Sequence, residues 1–203
     1  MLPHYFKINE SIDALYIHPA NIEPKCTILY SHDATERLDT LETWLTSISI
    51  LLHSDIIAYE FPGYASDSGE YSDTSAAETA SSVFSHVLYV MQKTPAEIVF
   101  IGNGAGCGVT LYLSYMVRKT AEIAGVILIN PVVSASIFTR SPFHNAKHIR
   151  KVKTKVGFIF GEEIQEIRYI RKLYSMLQNR AGLSIVDGAG VDIVTTHTDL
   201  LTD

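Results

Sequence analysis

The segment Gly102-Asn103-Gly104-Ala105-Gly106 has the spacing of a G-x-S-x-G nucleophile elbow. In that turn the flanking glycines permit a strained strand-to-helix bend that lifts a hydroxyl above a sheet. Here the middle residue is Gly104, which accommodates the backbone but offers no lone pair to attack a carbonyl. The turn is kept without its nucleophile. A relocated Cys/His pair is the alternative: Cys107, at a helix start, would be the thiol and His197 the base, with Asp192 or Asp199 as the acid that such a pair needs. A small residue packed on a sheet is the plainer account of Cys107. His32, at the end of an apolar run, reads as a hydrogen-bonded structural histidine, with a ligand or catalytic role as the alternative.

The glycines from Gly102 to Gly108 could also serve as a phosphate cradle at a helix amino end. A dinucleotide fingerprint, however, opens its βαβ unit and is followed about 20 residues later by an acid ending the next strand. In this chain the next apolar run, Val126-Ile129, ends in Asn130-Pro131, and two strand-containing units precede the glycines. No cofactor is expected. Nor do Cys26, Cys107 and the histidines show metal-ligand spacing.

These residues must be positioned by the elements around them. Short apolar runs recur at Ala14-Ile17, Thr27-Tyr30, Ile56-Tyr59, Ile98-Ile101, Val126-Ile129, Val156-Phe160 and Leu183-Val186. Most are continuous, as strands covered on both faces require. Helical periodicity lies between them, over Ala76-Gln92, Cys107-Lys119 and Glu166-Gln178. The alternation predicts an α/β domain over residues 1–203, with a mostly parallel sheet and helices on both faces. Function in such sheets collects at the carboxyl ends of the strands. Those ends are Ser31-His32-Asp33, Glu60 to Tyr64, Gly102 to Gly106, Asn130-Pro131, Gly161-Glu162-Glu163 and Gly188-Ala189-Gly190.

The chain has 203 residues, 47% of them hydrophobic, which suits one sizeable core. A formal charge of −6 gives no basis for a nucleic-acid partner. The run Lys147 to Lys155 could form a phosphate or anionic-lipid patch, but its interleaved Ile149 and Val152 fit a solvated approach to a strand better. The longest uncharged stretch, Ile98 to Val117, is broken by glycines and reads as strand, turn and helix rather than a membrane span. Met1 to Tyr5 lacks the start of a signal peptide, so a cytoplasmic protein with reduced thiols is expected.

Taken in order, the strand-end segments resemble the α/β-hydrolase superfamily, and within it the small serine hydrolases that remove acyl groups from proteins, the depalmitoylases. Leu29-Tyr30-Ser31-His32 is similar to the strand leading into the family's His-Gly oxyanion segment. Ala58 to Tyr64 resembles its Tyr-Glu-Tyr-Pro-Gly-Tyr-Gly stretch, and Ala124 to Pro131 the strand after the nucleophile helix. Val156 to Glu163 resembles the penultimate strand with its Gly-x-Glu-Asp loop, and Gly188-Ala189-Gly190 the approach to the catalytic histidine. The resemblance implies a single-domain, lid-less α/β-hydrolase fold with a short final helix.

Residue by residue, the resemblance puts Gly104 at the nucleophile, Ile164 at the acid and Val191 at the histidine. His32, Asp33, Ala34 and Ala105 fall on the oxyanion-like segments, with Asp33 where the family has glycine. A carboxylate there opposes a developing oxyanion. A triad acts as a unit, so three losses imply an inactive relative that binds an unidentified protein or small molecule. The alternative is an active esterase or acyl-protein thioesterase with substitute residues. The related hydrolases are often tethered through amino-terminal cysteines, and Met1 to Lys25 contains none.

Overall fold

The computed structural model describes residues 3–64, 69–132, 143–190 and 193–196. Strands β1 (His4–Ile8) and β2 (Ile12–Ile17) form an antiparallel hairpin. Its turn takes Asn9 and Glu10 through positive φ, the conformation that matches the twist of tight hairpins. β2 then pairs antiparallel with β4 (Ser54–Tyr59). The other strands are parallel: β3 (Cys26–Ser31), β4, β5 (Ile98–Asn103), β6 (Gly125–Ile129), β7 (Val156–Gly161) and β8 (Arg180–Val186). The resulting eight-stranded order is β1-β2-β4-β3-β5-β6-β7-β8.

Helices cover both faces, which is why the central strands read as unbroken apolar runs. On one face lies α1 (Leu38–Leu52), which buries Leu38, Leu41, Trp44, Leu45 and Ile48 at helical spacing. The short α6 (Ile193–Thr196) joins it there through Ile193 and Val194. On the other face lie α2 (Asp73–Tyr89), α3 (Gly106–Val117) and α5 (Ile167–Ser175), around a larger core that includes Phe84, Phe100, Phe158 and Ile164. The four-residue α4 (Asn145–His148) lies against α3.

The predicted strands and helices are all present, with limits shifted by a few residues. Of the elements not singled out by periodicity, β1 and α1 are the longest. β1 is an edge strand with His4 and Tyr5 exposed, so it lacks a clean alternation. In α1, Thr40, Thr43, Thr46, Ser47 and Ser49 interleave the apolar stripe. The stretch Ile98 to Val117 resolves into β5, the glycine turn and α3. No helix among the described residues is long and apolar enough to cross a membrane.

Candidate functional site

The strand ends meet at the glycine turn between β5 and α3. Gly102 and Gly106 let the helix sit directly on the sheet: a Cβ on Gly106 would lie 2.1 Å from the Ser31 carbonyl oxygen, and one on Gly102 2.7 Å from the Gly106 carbonyl oxygen. Gly104 has φ +51°, which L side chains rarely adopt. These are the contacts of a tight strand-to-helix turn.

The space above Gly104 is filled by Asp33, at the end of β3. A Cβ on Gly104 would stand 2.0 Å from Asp33 Oδ1 and 2.5 Å from its carboxyl carbon. Oδ1 accepts a 2.7 Å hydrogen bond from the Ala105 N–H. Helix α3 has no side-chain cap of its own, so this carboxylate satisfies one of its orphan donors and meets the positive end of its dipole. The other oxygen, Oδ2, accepts from Thr35 Oγ1 at 2.9 Å. Ala34, the next residue on the loop, is exposed.

A buried polar network holds Asp33 in place. Its N–H donates to Glu36 Oε2 at 2.7 Å, and the Glu36 N–H returns to the Asp33 carbonyl at 3.1 Å. Asn103 Nδ2 donates to Glu36 Oε1 at 2.8 Å, and the Tyr30 hydroxyl to Oε2 at 3.2 Å. Burial raises the Glu36 carboxyl above its ordinary range, and the Asp33 N–H and Asn103 amide pull it partly back. Glu36 thereby ties β3, the loop after it and the elbow residue Asn103 into one unit.

His32 is fully buried between this loop and β4. Its Nδ1 donates to the Asp33 carbonyl at 2.7 Å, and its Nε2 forms an ion pair with Glu60 Oε2 at 3.2 Å. Both ring nitrogens thus face oxygen atoms. The ring packs on Phe61 and Tyr64 at centroid distances of 4.5 and 5.5 Å. Burial pushes the Glu60 carboxyl up, but His32 and the Leu38 N–H, which donates to Oε1 at 2.9 Å, outweigh it and hold the group below its ordinary value. Glu60 thus caps α1 as Asp33 caps α3.

Cys107 is fully buried, and its thiol donates to the carbonyls of Gly102 and Ile129 at 3.1 and 3.2 Å. Burial pushes that thiol well above its ordinary pKa, the reverse of an activated nucleophile. Ile164, just beyond β7, is buried in the core on the α3 face. Val191, Asp192, His197 and Asp199 lie outside the described residues. The nearby strand ends are cross-tied by Asn130, which accepts from the Gly161 N–H at 3.1 Å and donates to the Gly190 carbonyl at 3.2 Å.

Sequence reasoning singled out His32, Asp33, Gly104 and Ala105 and the structure brings all four together; Glu60 and Asn103 lie in strand-end segments it named but were given no role, and Glu36 was missed. One signal was present: Asp33-Ala34-Thr35-Glu36 has the spacing of a capping box, and one of its two bonds forms here, from the Asp33 N–H to the Glu36 carboxylate, while the Glu36 N–H goes to the Asp33 backbone carbonyl. Beside the network opens a cavity of about 510 Å³ lined by Tyr5, Arg37, Leu38, Glu60 and Tyr64 among others. Among the described residues no group of three or more His, Cys, Asp or Glu side chains is placed to hold a metal.

The sequence matches no protein-family model. Solved structures match over nearly the whole chain. Est1E from Butyrivibrio proteoclasticus with ferulic acid bound superposes with a TM-score of 0.77 at 13% identity, over 98% of this chain and 94% of that one. An alpha-beta serine hydrolase homologue from Coxiella burnetii gives 0.74 at 14% identity, over 100% and 97%. An esterase of the bacterial hormone-sensitive lipase family gives 0.76 at 11% identity, over 98% and 83%. Strand order, elbow geometry and these superpositions agree: the chain has the α/β-hydrolase fold.

Proposed function

We propose that this chain is a non-catalytic α/β-hydrolase-fold protein, related to the acyl-protein thioesterases, that binds a small molecule or partner at the face where such enzymes carry their site. In this reading Gly104, Ile164 and Val191 hold the vacated triad positions. The observation that carries it is the Asp33 carboxylate on the Ala105 N–H, overlapping the volume a nucleophile side chain at position 104 would need. An acyl oxyanion would have to displace a hydrogen-bonded negative charge from the donor it requires. The cavity of about 510 Å³ beside Glu60 and Tyr64 has the size of a small-molecule pocket and supports ligand binding as the retained activity.

A second reading, an active esterase or thioesterase with substitute residues, is favoured by the names of the structural neighbours, several of which are esterases. It would need Cys107 as nucleophile, and the burial and raised pKa of that thiol weigh against it. Assays with p-nitrophenyl acetate and an acyl-thioester probe, with fluorophosphonate labelling alongside, separate the two. We expect no turnover above buffer and no labelled protein. Turnover that disappears in Cys107→Ala or His197→Ala would establish the esterase reading.

Asp33 gives a separate test. Asp33→Ala removes a charged acceptor from the Ala105 N–H and from Thr35, and should lower unfolding free energy by roughly 1–3 kcal/mol without creating turnover. Denaturant titration beside the ester assay checks both halves. An active Asp33→Ala variant would mean that the plug alone had silenced a competent site.

A further inference from the structure

At the opposite end of the sheet from Asp33, the carboxyl end of α3 meets the segment that leads into β7. Arg118, Lys119, Thr120, Glu122, Lys153 and Thr154 line a cavity of about 360 Å³ there. The Arg118 guanidinium lies 3.6 Å from the centroid of the Tyr115 ring and donates to the Tyr115 carbonyl, while Lys151 approaches the same ring at 5.7 Å. Tyr115 also stacks with the His148 ring, centroids 4.6 Å apart. With Lys147, five of the chain's sixteen Lys and Arg residues crowd this corner of a molecule whose formal charge is −6. Among the described residues none of the five forms an ion pair.

His148 sits among these cations. It is buried, its Nδ1 has no hydrogen-bond partner among the described residues, and burial together with His144, Lys147, Lys151 and Arg118 opposes its protonation. Unpaired cations at close range are costly to each other, and a multiply charged anion relieves them. Arg118, Lys119 and Lys153 supply donors of the kind phosphate oxygens take. Glu122 opposes a bare anion but accepts a hydroxyl hydrogen, and Thr120 and Thr154 offer hydroxyls that bond to either.

We propose that this corner is a binding site for a phosphorylated polyol, with Arg118, Lys119 and Lys153 on the phosphates and Glu122 on a hydroxyl. The same chemistry is met in a free sugar or inositol phosphate and in an inositol-phosphate lipid headgroup. The site is independent of the strand-end face, so its test stands whether or not the fold carries hydrolase activity.

The test uses the full chain in calorimetric titration with inositol trisphosphate. In parallel it uses sedimentation with phosphatidylcholine vesicles, with and without phosphatidylinositol bisphosphate. The expected result is saturable binding in at least one arm, weakened about tenfold or more by the double variant Lys119→Glu/Lys153→Glu. Lys25→Glu, at an exposed position just before β3 whose N–H bonds the His53 carbonyl, changes the net charge without touching the cavity lining and should leave binding unchanged. Both reversed lysines are exposed, and circular dichroism checks that the double variant is folded. Binding in the vesicle arm alone assigns the site to a lipid headgroup, and in the titration alone to a soluble ligand. Absence from both arms overturns the proposal, as does binding undiminished in the double variant or equally lost in Lys25→Glu. Inorganic triphosphate binding as tightly as inositol trisphosphate would overturn the polyol assignment.

Discussion

Serine at position 104 lowers the stability of the fold and yields no ester hydrolysis. The new Cβ would stand 2.0 Å from Asp33 Oδ1, so the Asp33 carboxylate must leave, taking with it the 2.7 Å hydrogen bond to the Ala105 N–H. A serine must also adopt φ near +51°, in a region disfavoured for side chains bearing Cβ. Together the lost charged acceptor and the backbone strain amount to about 2–4 kcal/mol, measured as a shift of the denaturant midpoint at constant slope. Gly104→Ser/Asp33→Gly removes the steric conflict and recovers part of the loss. It remains inactive in our reading, because Ile164 supplies no carboxylate to orient a base and Val191 no imidazole. Robust turnover from Gly104→Ser alone would refute the account of the site, and wild-type stability in that variant would refute the plug.

That expectation depends on a contact the sequence did not show. The elbow was legible because glycine spacing encodes backbone geometry: Gly102 and Gly106 are dictated by a helix pressed against β3 and β5, and only glycine fits. Continuous apolar runs likewise gave the buried strands, since burial on both faces leaves no room for alternation. Asp33 was recognisable as a charge out of place in an oxyanion loop, but not as the acceptor that caps α3 across 72 positions of sequence. Glu60 and Leu38, and Glu36 and Asn103, are joined over 22 and 67 positions in the same way. Such pairings depend on how strand ends align in three dimensions, and side-chain type alone does not encode them. The hairpin strand β1 escaped for a different reason: an edge strand buries only part of its length, so its pattern carries little periodic signal.

The second large effect is a loss of stability in mild acid that originates at His148. Its ring is buried against Tyr115 and Tyr112, and burial, with the nearby His144, Lys147, Lys151 and Arg118, holds its pKa down from 6.5 to about 4. The folded value lies below the unfolded one, so the unfolded chain takes up the proton first. Stability from this group is therefore complete above about pH 6.5 and falls as pH drops through about 4, below which the loss reaches its limit of roughly 3 kcal/mol. Phenylalanine keeps the aromatic contacts and removes the titration. We expect His148→Phe to match the wild type in urea unfolding near neutral pH and to exceed it by most of that amount in mild acid. Equal pH dependence of the two proteins would show that the acid sensitivity lies elsewhere. If a phosphorylated ligand does sit beside Arg118, its negative charge weakens the repulsion that keeps the ring neutral. The His148 pKa, followed by its ring-proton chemical shift, should then rise on saturation with inositol trisphosphate, by an amount that shrinks as salt screens the pair.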